Sequence, residues 1–253
     1  MQNEQTIDSL TVQTYQDRVS LGQAAADTAT GCLRRALQEK SAARIIVASA
    51  PSQDEMLAAL TAAPDIDWSR IEVFHMDEYV GLDADHPASF RAYQKSHLLS
   101  RVQPMAFHGL RGEAPDLEAE CRRYTESLQK APIDLVCMGI GENGHIAFND
   151  PPVADFNDTE WVKQVELDEA CRQQQVNDGC FPTIEAVPRF ALSLTCPALM
   201  SGAALVCVVP GALKAEAVRT TCRGPITEAC PASVLRRHPA ATLFLDTESA
   251  ALL

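Results

Sequence analysis

A three-layer αβα fold on a mostly parallel, doubly wound (Rossmann-like) sheet is what the sequence predicts. Three observations lead there. Five short apolar runs recur along the chain, segments of helical periodicity separate them, and no Gly/Ser-rich linker, repeat or low-complexity tract interrupts the 253 residues. Nearly continuous apolar runs suit strands covered by helices on both faces, and strand–helix alternation implies parallel pairing. One domain spanning residues 1–253 is the expectation.

In chain order, Tyr15–Lys40 is Ala-, Gln- and Arg-rich with apolar spacings of three and four, a long helix. The first buried strand is Arg44–Ser49 (RIIVAS), followed by a helix over Asp54–Ala63. The second strand is Ile71–Met76 (IEVFHM). A helix over Pro115–Lys130 leads to the third, Ile133–Met138 (IDLVCM). The stretch from Pro151 to Pro188 is polar and irregular, and reads as an excursion over the site. The fourth strand, Ala204–Val209 (ALVCVV), precedes a helix over Ala212–Thr220. A short turn or helix at Pro231–Arg237 introduces the fifth, Ala241–Asp246 (ATLFLD).

Composition narrows the function classes. Hydrophobic residues make up 46% and charged residues 22%, with 34 acidic against 21 basic side chains and a formal charge of −13. Nucleic acid and anionic membranes need Lys/Arg to replace their counterions, so neither is expected as a partner. No apolar run approaches the roughly 20 residues of a membrane span, and the N-terminal MQNEQTIDSL lacks the apolar core of a signal peptide. The nine cysteines (32, 121, 137, 171, 180, 196, 207, 222 and 230) form no C-x-x-C pair. They read as thiols in a reduced cytoplasm, with no zinc-type ligand cluster and no metal expected.

Ligands in open α/β sheets bind outside the carboxyl ends of the strands, so the residues following each run carry the most information. They are Ala50-Pro51-Ser52-Gln53 after the first, Asp77-Glu78-Tyr79 after the second, Gly139 to His145 after the third, and Pro210 to Lys214 after the fourth. Together they offer carboxylates, a histidine in a glycine turn and a lysine at a helix start, an inventory for proton transfer beside a bound anion. An Asp-Glu pair is often only an exposed turn; at the end of an apolar strand, a working role is the better reading. His75 reads as a packed strand residue, and H-x-D-E (His75, Asp77, Glu78) has no metal-ligand spacing to support it. Gly139, Gly141 and Gly144 match G-x-G-x-x-G loosely. They lie far from the first strand and lack an acidic residue ending a next strand about 20 positions on, which argues against a dinucleotide.

These segments resemble the glucosamine-6-phosphate deaminase/isomerase family. MDEYVGLDADHPASF (Met76–Phe90) is similar to the stretch around that family's catalytic aspartate. GIGENGHIAFNDP (Gly139–Pro151) is similar to its histidine loop, and PGALKAEAV (Pro210–Val218) to the segment with its phosphate-binding lysine. Similarity runs from about Arg44 to Asp246, with ASVLRRHP (Ala232–Pro239) also in keeping. The related 6-phosphogluconolactonases share the fold and a glycine–histidine loop but typically lack the MDEYVG-like stretch.

The resemblance implies a cofactor-free isomerisation and deamination of an amino-sugar 6-phosphate. His145 opens the ring, Asp77 moves the proton from C2 to C1, and Asn143 and Asp150 complete the catalytic set. Ser49, Ala50, Ser52, Gln53, Gly144 and Lys214 are implied to bind substrate and its phosphate. The sequence departs from the family at three places. A Gly-Gly-Thr-type phosphate turn is replaced by Ala50-Pro51-Ser52-Gln53, an aspartate of the histidine loop by Asn143, and a phosphate-holding arginine has only Arg172 as a candidate within Cys171–Phe181. Two rival classes stay open: a lactonase-like hydrolase with His145 activating water, separable by C2-proton exchange, and a non-catalytic sugar-phosphate sensor. Asp77, His145 and the lack of a DNA-binding helix-turn-helix count against the sensor. The expected partner is a small sugar phosphate, and homo-oligomer formation is compatible with the sequence.

Overall fold

The computed structural model describes all 253 residues. Its strands are β1 (Asn3–Ile7), β2 (Leu10–Tyr15), β3 (Ala43–Val47), β4 (Ile71–His75), β5 (Asp77–Tyr79), β6 (Ala106–His108), β7 (Leu135–Met138), β8 (Val162–Glu166), β9 (Phe190–Leu194), β10 (Ala204–Val209) and β11 (Ala241–Asp246). Its helices are α1 (Arg18–Glu39), α2 (Asp54–Ala62), α3 (Phe90–Gln94), α4 (Leu117–Gln129), α5 (Glu169–Asn177), α6 (Cys196–Met200) and α7 (Ala215–Arg223).

Eight strands form one sheet in the order β1-β2-β11-β10-β7-β3-β4-β6, parallel throughout except for the β1–β2 hairpin. Alternate residues of the central strands feed two cores. Ile45, Val47, Leu135, Cys137, Val206 and Val208 pack with α1 and α2 on one face. Ile46, Val136, Met138, Cys207 and Val209 pack with α4, α6 and α7 on the other. This is the three-layer arrangement the apolar runs predicted, because a strand buried on both sides has no solvent face to fill with polar residues.

The chain runs outward from β3 to β4 and β6, then returns to place β7 on the other side of β3. The β3 and β7 exits therefore diverge at a topological switch point, where a crevice opens. The amide of Ala48 donates to the Cys137 carbonyl at 2.9 Å and ties the two exits together at their base.

Several boundaries differ from expectation. Tyr15 ends β2 and does not begin a helix; Asp17 caps α1, its carboxylate accepting from the Ser20 amide at 2.8 Å. β3 stops at Val47, leaving Ser49 in the turn. Beyond the expected strand end at Met76, Asp77–Tyr79 forms a further strand, pairing antiparallel with β9 in a second, three-stranded sheet of order β5-β9-β8. The Pro151–Pro188 stretch, irregular by sequence, contains β8 and α5. Against this small sheet packs a separate core around Tyr79, Phe90, Phe148 and Phe181. All nine cysteines are unpaired thiols, and no helix is long and apolar enough to cross a membrane.

Candidate active site

A cavity of about 340 Å³ opens at the switch point. It lies within the size range of small-molecule clefts. Asp77, His145 and Lys214 all line it, as do Ser49, Ala50 and Ser52. Residues from four strand ends, spread over more than 160 positions of sequence, thus meet in one place.

Asp77 and Glu78 are both buried, yet their surroundings differ completely. Glu78 accepts from the Ser89 hydroxyl at 2.8 Å, from the amides of Phe90 and Arg91 at 3.1 Å, and from Arg91 Nε at 3.1 Å. It anchors the start of α3 and is fully satisfied. Asp77, on the opposite face of β5, borders the cavity. Burial first, and then the charge of Glu78, push its carboxyl well above the ordinary carboxylate range. A carboxylate made more basic in this way is suited to taking a proton from carbon.

His145 sits in the loop after β7. Its Nδ1 lies 2.8 Å from Asn143 Oδ1 and 3.0 Å from Asp150 Oδ1, both acceptors. Nδ1 must then carry the hydrogen, leaving the lone pair on Nε2. Asn143 Nδ2 donates to Asp150 Oδ1 at 3.0 Å, which sets the orientation of the amide. Burial alone would raise the Asp150 carboxyl, but hydrogen bonds from His145 and Asn143 outweigh it and hold the group low. Asn143 and Asp150 stand behind the ring and do not line the cavity.

Two glycines make the loop feasible. A Cβ on Gly141 would lie 2.1 Å from His145 Cε1, so the imidazole rests directly on the glycine backbone. Gly144 has φ +85° and would place a Cβ 2.9 Å from Cys230 Sγ. Its expected role in binding substrate is corrected here: Gly144 is absent from the cavity wall and serves the turn.

The other end of the cavity is polar. Gln94 Nε2 donates to Ser49 Oγ at 2.9 Å and to the Ala48 carbonyl at 3.0 Å, leaving the Ser49 hydroxyl hydrogen free to donate. Tyr93 Oη donates to the Ala50 carbonyl at 2.9 Å. Across from this turn, Gly211 donates to Asp246 at 2.9 Å and begins the turn that carries Lys214. Burial lowers the Lys214 ammonium, while Asp178 and Glu142 act in the opposite sense.

Gln53 is a second correction. Its amide turns inward, with Nε2 3.0 Å from Ser52 Oγ and 3.4 Å from the Val208 carbonyl, and does not reach the cavity. Arg172 is a third, since its guanidinium donates to the carbonyls of Ile184 and Val187 outside the site. The expectation of no ligand cluster also needs amending, because His145, Asp150 and Cys171 bring potential ligand atoms within 4.8 Å of one another. Burial and the neighbouring carboxylates push the Cys171 thiol up, and His145 Nδ1 is already engaged, so this set is poorly suited to a metal.

The cavity wall also includes Arg18, Gln174, Gln175 and Asp178, which sequence reasoning missed. The last three lie on or just beyond α5, which is tied to the β7 loop by the Glu142 amide donating to Gln174 Oε1 at 2.9 Å.

Fold and cavity together define a doubly wound α/β protein whose switch-point crevice is lined by a buried carboxylate, a histidine and two cationic side chains. The chain belongs to the family of glucosamine-6-phosphate isomerases and 6-phosphogluconolactonases, whose model matches residues 16–244. It is 38% identical over 202 residues to the glucosamine-6-phosphate deaminase of Listeria welshimeri, covering 80% of this chain and 84% of that protein. The glucosamine-6-phosphate deaminase of Streptococcus pneumoniae is 37% identical over 189 residues, covering 75% and 79%. Among solved structures, a monomeric glucosamine-6-phosphate deaminase superposes with a TM-score of 0.88 at 31% identity, over 96% of this chain and 99% of that one. A 6-phosphogluconolactonase from Shewanella baltica superposes with a TM-score of 0.77 at 20% identity, over 96% and 98%, a likeness of fold.

Proposed function

We propose that this protein is an enzyme that isomerises and deaminates an amino-sugar 6-phosphate, converting glucosamine 6-phosphate to fructose 6-phosphate and ammonia. The observation that carries the reading is Asp77: a buried carboxylate of raised basicity that borders the same cavity as His145. Family membership and the deaminase relatives support it.

In this scheme His145 Nε2 takes the proton of the anomeric hydroxyl and returns one to the ring oxygen, opening the pyranose. Asn143 and Asp150 hold the ring in the required tautomer and stabilise its cationic form. Asp77 removes the C2 proton, giving an enediol-like (enolamine) intermediate, and delivers a proton to C1. C2 is then an imine, which water hydrolyses to the ketone with loss of ammonia. Ser49, Ala50, Ser52 and Lys214 hold the phosphate, through hydroxyls, backbone and ammonium. None of these steps calls on a metal or an organic cofactor. The acidic charge of −13 suits a cytoplasmic enzyme that handles small metabolites and not nucleic acid.

The test is a panel of amino-sugar 6-phosphates assayed for ammonia release, run alongside 6-phosphogluconolactone hydrolysis. Ammonia release, retained after exhaustive chelation, is the expected result. Lactone hydrolysis without ammonia release from any amino sugar would transfer the chain to the hydrolase branch. Loss on chelation restored by zinc would defeat the metal-free scheme.

A further inference from the structure

We infer that Arg18 is a second phosphate-binding cation of this cavity, acting together with Lys214, an inference that rests on the proposed sugar-phosphate chemistry. Five charged side chains line the cavity besides His145: the acids Asp77, Glu142 and Asp178, and the bases Arg18 and Lys214. A phosphate dianion entering such a site with only one lysine would meet a net negative wall, and burial lowers that lysine's hold on its proton. A guanidinium keeps its charge under the same conditions and offers a planar fork that matches phosphate oxygens.

The position of Arg18 is unfavourable on local grounds alone. It is the first residue of the 22-residue α1, where the helix dipole disfavours a cation. The fold nevertheless holds it there. Arg18 Nε donates to Glu55 Oε1 and Nη2 to Glu55 Oε2, both at 2.9 Å, and Nη2 also donates to the Pro51 carbonyl at 2.8 Å. Every one of these bonds uses the Nε/Nη2 edge. Nη1 has no protein partner, although the residue lines the cavity.

The approach of α1 to α2 that makes the Glu55 pair depends on Gly22, one turn further on, where a Cβ would lie 2.5 Å from Glu55 Cβ. The Pro51 carbonyl belongs to the turn that carries Ser49 and Ser52 into the cavity. Arg18 is therefore fixed to the wall of the anion end. It occupies a place supplied by neither Arg172 nor the glycine-free turn itself.

The experiment measures KM and kcat for glucosamine 6-phosphate, and competitive inhibition by inorganic phosphate, in the full-length protein and in three variants. Arg18→Gln should raise both KM and the phosphate inhibition constant about tenfold or more, with the loss falling on KM and not on kcat. Arg18→Lys should recover part of this, because it restores charge but not the fork. Glu55→Gln should lower both constants, since it removes the negative partner while a carbonyl oxygen remains to accept from the guanidinium.

Opposite signs for Arg18→Gln and Glu55→Gln distinguish phosphate binding from mere support of the Pro51 turn. Arg18→Gln leaving both constants unchanged, or both variants raising them equally, would overturn the inference. Thermal unfolding of each variant separates these results from loss of fold. If the unaltered protein releases no ammonia, the proposed reaction fails. Calorimetric titration of inorganic phosphate into the Arg18→Gln and unaltered proteins then still decides the arginine: equal affinities would overturn it.

Discussion

Adjacent carboxylates with opposite tasks show how much a single residue's surroundings decide. Glu78 spends its charge on Arg91 and the start of α3, whereas Asp77 faces the cavity with its carboxyl raised by burial and by Glu78. Asp77→Asn is nearly isosteric and should stop exchange of the C2 proton with deuterated water, a loss of about 100- to 10,000-fold. The same change should stabilise the fold. A carboxyl whose folded pKa lies above its unfolded value destabilises the protein at every pH where it must be charged, and ceases to do so only below the unfolded value. At pH 7 the variant should therefore melt higher, by about 2–4 °C for each kcal/mol recovered. Wild-type exchange in the variant would exclude Asp77 as the base, and an unchanged or lower melting temperature would contradict the burial argument. His145→Gln should behave differently, slowing turnover of the cyclic sugar while sparing exchange on a substrate supplied in open-chain form.

At the scale of elements, the β7 loop works as a rigid cradle. Gly141 supports the face of the imidazole, and Asn143 and Asp150 hold its Nδ1 edge. Ala147 adds a left-handed residue at φ +48°, strain that the surrounding contacts must hold. Gly141→Ala should push the ring out of place without touching the sheet. A loss in kcat of about 100-fold is expected, since displacement by about 1 Å can cost that much, with a circular dichroism melt close to the parent's. Near-normal kcat would mean that the ring position is not critical. On the other wall, α3 braces the phosphate turn through Gln94, whose side chain is wholly buried. Gln94→Leu should leave the Ala48 carbonyl unpaired and raise KM more than it lowers kcat, and steady-state kinetics would show the reverse if Gln94 served the chemistry.

For the whole molecule, the buried titratable groups set the pH range of stability. His75 is fully buried, its Nε2 accepting from the Leu110 amide at 2.8 Å. Burial, with a smaller contribution from Arg91, pulls its pKa down to about 3. The unfolded chain binds that proton near the ordinary histidine value, so stability should fall as pH drops from about 6.5 toward 3. Glu120 adds a second loss at lower pH. Burial opposes its ionisation, but ion pairs with Arg123 and Arg111 bring it to about 2, so its contribution is lost as pH falls from about 4.5 toward 2. In the Asp77→Asn background, where acidification no longer relieves the penalty of the buried carboxyl, urea midpoints should decline in two stages, and Glu120→Gln should flatten only the second. A midpoint unchanged between pH 7 and pH 5 would contradict the account of His75.

The sequence by itself determined the layered sheet, because central strands buried on both faces leave short apolar runs and those runs alternate with segments of helical periodicity. It also singled out Asp77 and His145, which lie close beyond such runs and border one cavity in the fold. Strands with a wet face escaped notice. β1 is almost wholly polar, β2 mixes polar with apolar residues, and the small sheet is built from short, partly polar segments whose pairing across more than 100 residues is invisible locally. Only the tertiary structure decided that Gln53 turns inward, that Gly144 serves the turn while Gly141 carries the imidazole, and that Arg172 faces away. The same holds for Arg18, whose partner Glu55 is 37 residues distant and reaches it only because Gly22 lets two helices touch. Periodicity records how much of a segment is buried. Which atoms a side chain finally meets depends on contacts made across the fold, and those exist only once the layers have closed.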